Sequence, residues 1–315
     1  MLIRFKIWQA WSLLLVVPAM LSAVPHAWGQ AVRDAQPRRP SAYRVAERTD
    51  ARVNAASSAV NIPGPEAAAP ANVAVADPLL PLPGEHPMMP ALRWAKTGLE
   101  DLRQVSDYSA TMVKRERIDG VLGEHQYIFC KVRHAPFSVY LHFLSPTGIK
   151  GQEVIYVDGQ NDNQLKAHTV GLRDSIVGTI SLDPKGRIAM KGQRYPIMET
   201  GILNLTEKLV EVGQHDTQYG ECTYKAFKGA KVNGRICTCL QFIHPVPRKE
   251  FRFHLARIFV DEELNLPIRY EAYEWPTEKD GKPQLSEEYT YINLKLNNGF
   301  TDLDFDTRNP QYKFR

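Results

Sequence analysis

Cysteine is scarce in this chain of 315 residues: it has four, Cys130, Cys222, Cys237 and Cys239. None of them follows the apolar stretch near the N-terminus, so a lipid-anchored lipoprotein is not expected. Cys237 and Cys239 form a C-x-C with no second pair at zinc spacing, which argues against a metal site. Charge of one sign is lacking too. Lys and Arg number 39, Asp and Glu 35, and the formal net charge is +4. With no basic run, nothing marks a nucleic-acid footprint. Catalytic signatures are also missing: no G-x-S-x-G, H-E-x-x-H, P-loop or strand-borne G-x-G-x-x-G occurs. Neither an enzyme nor a cofactor is expected.

The N-terminus carries a targeting pattern. Arg4 and Lys6 precede an apolar stretch from about Trp11 to Val24, and small residues follow around Ala27 and Gly29. This is the order of a secretory signal peptide over 1–29. The stretch is shorter than the about 20 residues of a spanning helix. An uncleaved membrane anchor is the alternative. Export to the periplasm or beyond is expected. Residues 30–86 are Ala- and Pro-rich without periodicity, and read as a disordered linker. The folded domain spans 87–315.

That domain opens on a helix. Pro90 stands at a plausible first position, and Leu92, Ala95, Leu99 and Leu102 follow at helical spacing. Hairpin signals come next at Asp119-Gly120 and Asp158-Gly159. A second helix is predicted after Pro196, with apolar Ile202, Leu205, Leu209 and Val212 and a cap at Gly213. Strands resume, turning at Asn233-Gly234 and near Asp261 to Asn265. The turns are too tight for parallel crossovers. The fold class is therefore α+β: a curved antiparallel sheet, a half-barrel, with helices against its concave face.

The segment Pro136–Pro146, PFSVYLHFLSP, alternates. Phe137, Val139, Leu141 and Phe143 share one face, expected to meet the helices and any cavity they leave. They are the candidate ligand-binding residues. Tyr140 and His142 share the other face, expected to look outward or under a loop. Arg115, Arg117, Lys131 and Arg133 form cationic pairs on adjacent strands, either at a cavity mouth or on a charged outer face. His142 and His168 share a face if their strands are neighbours. Cys222 lies one hairpin before Cys237 and Cys239. A disulfide to either one, or free buried thiols, fits the spacing.

The run from Lys114 to Asp162, with KGQRYPIMETGI, ARIFVDEELNLPIRYEAYEWP and DLDFDTRNPQY, resembles a family of secreted bacterial proteins common in planctomycetes, domain of unknown function 1571. The similarity covers about Leu92 to Phe314. The order of elements is also similar to the periplasmic lipoprotein carriers LolA and LolB, through Lys131, Arg133, Pro136 and Phe137 and the Asp158-Gly159 turn. That likeness implies a half-barrel whose helical lid covers an acyl-binding cavity, with Arg133 helping to hold the lid. The expected partners are a hydrophobic small molecule, lipid or lipoprotein. The alternative is a structural or interaction module of the cell envelope that binds a protein partner.

Overall fold

A computed structural model describes residues 79–169, 178–278 and 281–314. The expected signal peptide, and the linker as far as residue 78, lie outside the described residues. Two helices are described, α1 (Met89–Arg103) and α2 (Ile202–Asp216). Between them run β1 (Asp107–Ile118), β2 (Val121–Leu122), β3 (Gln126–Arg133), β4 (Ser138–Ser145), β5 (Glu153–Val157), β6 (Leu165–His168) and β7 (Thr179–Leu182). After α2 come β8 (Thr223–Val232), β9 (Arg235–Ile243), β10 (Leu255–Asp261), β11 (Leu266–Glu274) and β12 (Gln284–Leu296).

All described strands join one antiparallel sheet in the order β7-β6-β5-β4-β3-β1-β12-β11-β10-β9-β8, with β2 paired to β1. Two meanders thus meet where β1 pairs with β12. The sheet does not close: β7 and β8 stand at its two ends. The predicted turns account for this topology. Asp119 and Gly120 have φ 49° and 78°, and Asn233 and Gly234 have 49° and 82°, the left-handed pair that a two-residue hairpin needs.

The helices cover the concave face, and their own sequence explains how they sit. Pro90 lies in the first turn of α1, where its missing N–H costs nothing. Ile202 begins α2, and its N–H donates to the hydroxyl of the fully buried Tyr108 at 2.9 Å. A β1 side chain thereby satisfies a helix-start donor that would otherwise be orphaned. Gly213 does not cap α2 as its sequence predicts. It lies inside the helix, where an added Cβ would come within 2.9 Å of Leu92 Cδ2 on α1. Its missing side chain lets α1 pack close at this point.

Beneath the first half of the sheet, Leu102 and Ile202 pack on Tyr108, Met112, Ile128, Val132, Val139, Leu141 and Phe143. Burial of each large apolar side chain here contributes roughly 1.5–3 kcal/mol. Beneath the second half, Leu92, Leu99 and Val210 face Leu240, Phe242, Ala256, Val260 and Tyr270. Leu79, ahead of α1, is buried in this second cluster.

The convex face carries its own cover. The chain after β12 crosses β3, β4 and β5, and Tyr140, Ile155, Val157, Phe305 and Phe314 form a buried cluster there. Asp107 anchors the crossing. Its carboxylate accepts the backbone N–H groups of Asn298, Gly299 and Phe300 at 2.6, 3.1 and 3.0 Å.

Candidate functional site

The two halves of the concave face differ. Under β4 the helices fill the space, and under β9–β11 they leave a cleft. α1 contributes Met88 at its cap, then Ala91, Leu92, Trp94, Ala95 and Gly98. α2 contributes Thr206, Leu209, Val212 and Gly213, the sheet contributes Leu240, Phe242, Ala256, Ile258 and Val260, and the β9–β10 connection contributes Phe253, with Asn265 and Pro267 at the β10–β11 turn. The cleft measures about 770 Å³ when the solvent in its open mouth is counted.

Burial orients it. Met88, Leu92, Leu240, Phe242, Phe253 and Ala256 are buried and make the floor. Trp94, Ala95, Gly98, Ile258 and Asn265 are half-buried and make the mouth. Small residues on α1 create the space: Ala91, Ala95 and Gly98 recur at one face of the helix, opposite Ala256. The few polar groups are already engaged. The Thr206 hydroxyl donates to Ile202 O at 2.7 Å, and Asn265 donates to Asp101 at 3.3 Å. No lining side chain is charged. Chemically, such a surface removes apolar area from water and does nothing to polarise or deprotonate a bound group.

The residues predicted from β4 lie elsewhere. Val139, Leu141 and Phe143 are buried in the filled half, with Phe137 packed against them. None of the four lines the cleft. They meet the helices as expected, but the first turn of α2 and Leu102 occupy the space above them.

Arg133 has a different task from the one its resemblance implies. It lies on the convex face, donating to Asp302 at 2.7 Å and to Ser138, with its guanidinium 4.9 Å from the Phe305 ring. It holds the short 3-10 helix Asp302–Phe305 of the C-terminal segment and touches neither α1 nor α2. Lys131 acts likewise, with Asp304 at 2.7 Å. Arg115 and Arg117 bond to the backbone of Gly123, Leu285 and Gly120, away from any cavity mouth.

All four cysteines are free and buried. The disulfide expected between Cys222 and Cys237 or Cys239 is absent for a geometric reason. Cys239 pairs with Phe227 and Cys237 with Ala230, which places Cys222 five and eight residues along β8 from the positions opposite the two thiols. Cys222 also belongs to the core on the concave side, whereas Cys237 and Cys239 pack with Phe259 on the other. Burial pushes each thiol up to about 12.

His142 and His168 do share a face, one on each side of Glu153 in adjacent strands. Among the described residues no group of three or more His, Cys, Asp or Glu is placed to hold a metal.

A polar constellation on the concave face was not anticipated from the sequence. Tyr289 lies within hydrogen-bonding distance of both Glu116 and Glu287, at 2.5 and 3.3 Å. Lys114 pairs with Glu116, and Arg194 with Glu287 at 3.1 Å. Tyr195 and Tyr270 also donate to Glu287. Burial raises the Glu287 carboxyl, and Arg194 opposes that shift. The spacing carries a signal in retrospect: Lys114/Glu116 and Glu287/Tyr289 are i, i+2 pairs on β1 and β12, which are neighbours only because the two meanders meet there. The two carboxylates and two cations balance.

A family model described as "Protein of unknown function (DUF1571)" matches residues 105–314. None of the curated proteins matches the chain. Among solved structures, a LolA superfamily protein from Nitrosomonas europaea is similar at 11% identity and TM-score 0.28, covering 67% of this chain and 97% of its own. The Mycobacterium tuberculosis lipoprotein LppX is similar at 13% identity and TM-score 0.39, covering 68% and 97%. So is the Pseudomonas aeruginosa MucA/MucB complex, at 17% identity and TM-score 0.38, covering 71% and 63%.

Proposed function

The chain belongs to the DUF1571 family, whose name assigns no activity, and we propose that it is a non-catalytic binding protein for a single apolar chain, such as the acyl chain of a lipid or lipoprotein. The observation that carries this reading is the cleft under α1 and α2, whose floor is wholly apolar. With no free polar group inside, the polar end of such a ligand stays at the mouth, near Trp94 and Asn265. The charge order of residues 1–29 supports a site of action outside the cytoplasm.

A direct test titrates delipidated Trp275→Phe protein with a fluorescent fatty-acid analogue and reads energy transfer from Trp94, with the further substitution Trp94→Phe as control. Saturable transfer that the control loses supports the reading. No uptake of any amphiphile, with nothing apolar co-purifying by native mass spectrometry, sinks it.

One observation favours a second reading. Among the described residues, the helices fill the space over β4 and leave a cleft only under β9–β11. A structural or interaction module of the envelope needs no more than that. It predicts an unligated protein and a stable complex with a protein partner.

A further inference from the structure

One contact between α2 and the sheet is short of a hydrogen. His244 follows β9 and is fully buried, and Asp216 ends α2 and is 1% exposed. The His244 ring lies between two acceptors. Its Nδ1 is 3.2 Å from the Phe253 carbonyl, and its Nε2 is 3.5 Å from Asp216 Oδ2. A neutral imidazole carries one N–H. If Nδ1 holds it, the Nε2 lone pair faces the carboxylate. If Nε2 holds it, the Nδ1 lone pair faces the carbonyl. Either tautomer leaves two acceptors opposed in a buried place. Asp216 Oδ2 and His244 Nε2 are buried without a hydrogen-bond partner, as the first tautomer requires.

The surrounding groups do not relieve this. His215 Nδ1 is 3.1 Å from the other Asp216 oxygen. His254 Nδ1 and His86 Nε2 are turned to backbone carbonyls, of His244 and Tyr219 respectively, both at 2.9 Å. The Cys222 thiol is pushed up to about 12 by burial first and Asp216 second, so it stays protonated. The Phe251 ring is stacked on His244 at 4.0 Å and offers no donor.

The position matters because both sides of the contact reach the cleft. Val212 and Gly213, one turn before Asp216, line it, and so does Phe253, whose carbonyl faces His244. We propose that the Asp216–His244 contact is a built-in weak point that makes the C-terminal end of α2 the movable wall of the apolar cleft. A contact that gains when it parts lowers the cost of lifting that helix end from the sheet. Burial pushes the His244 imidazole down, against the pull of Asp216. That the movement admits an apolar ligand rests on the function proposed above; the opposed acceptors do not.

Asp216→Asn tests it. The amide keeps the size of the side chain and presents an N–H to Nε2, while its oxygen still faces His215. The variant is expected to melt at a higher temperature than the wild type at pH 7.5. The amides of residues 213–216 are expected to exchange several-fold more slowly, and fatty-acid uptake to slow. In the wild type, nitrogen NMR of the His244 ring is expected to show the single proton on Nδ1, and a proton on Nε2 overturns the proposal, because the contact with Asp216 then has its hydrogen. A doubly protonated ring at pH 7.5 overturns the proposal, because an imidazolium satisfies both acceptors. So does a variant with unchanged or faster exchange at 213–216. If α2 tightens but uptake is as fast as in the wild type, the wall role is overturned. If the wild type takes up no ligand at all while α2 still tightens, the binding function fails and the weak point stands.

Discussion

Tyr140 of β4 lies face to face on Tyr312, with ring centroids 4.0 Å apart and planes 10° apart. This stack closes the convex side of the strand whose two apolar-rich faces are conspicuous in the sequence. The Lys131 ammonium sits 5.4 Å from the Tyr312 ring and 5.1 Å from that of Phe300, adding cation–π attraction to the ion pair with Asp304. β4 is thus sandwiched between helices on one side and the end of the chain on the other.

Arg133→Ala is expected to loosen the segment after β12 and leave the helices alone. Asp302, its partner, is 85% exposed, so the ion pair is screened and the global effect small. Hydrogen exchange should quicken at 300–306 and stay unchanged at 89–103 and 202–216. Faster exchange in α1 or α2 would restore the lid role to this arginine.

His142 gives the convex face a pH dependence. Burial, then Lys313 and Lys150, lower its imidazole to about 4. The unfolded chain takes up this proton from about pH 6.5, and the folded chain does not. The stabilisation is therefore complete above about 6.5 and is lost as pH falls towards 4, by up to about 3 kcal/mol. Denaturant titrations of wild type and His142→Gln across this window check it. The variant should lose less stability with acid, and parallel curves would exclude the assignment.

Core and cleft are separable by mutation. Phe143→Ala should cost about 3–5 kcal/mol, as expected for a buried phenylalanine, with fatty-acid binding intact in the folded fraction. Ala95→Trp should do the reverse, because its side chain enters the half-buried mouth. Binding assays beside urea unfolding on both variants distinguish the two. Lost binding in Phe143→Ala alone would move the site back to β4.

The cysteines should behave as buried hydrophobes. Native protein is expected to be silent towards a thiol reagent at pH 8, and all four thiols should react once it is unfolded, without prior reduction. A disulfide-linked peptide in a non-reduced digest would contradict the register of β8 and β9.

The hairpins were legible because Asp-Gly and Asn-Gly meet a backbone demand that is local: positive φ at successive residues. The helices were legible from apolar spacing, and so was the strand alternation that puts Val139, Leu141 and Phe143 towards them. The cleft was not. It depends on small residues, Ala91, Ala95, Gly98 and Ala256, and a missing side chain leaves no periodic signal. The C-terminal cover was not legible either. Asp107 meets Asn298 across 191 positions, and no pattern within 297–314 announces that partner. Gly213 misled for a related reason. A glycine that ends a helix and one that lets another helix approach look the same in sequence.

The open sheet leaves β8 at one end, ten residues long. A flat strand of that length is a template on which copies of a protein polymerise. Here Lys225, Lys228 and Lys231 are exposed along it, and a bulge with Gly229 at φ 76° breaks its register between Phe227 and Ala230. Like charge and a kinked edge oppose stacking of one β8 on another. The half-barrel can therefore stay unclosed, with a greasy cleft beside its margin, and still remain a discrete particle rather than the first link of a fibre.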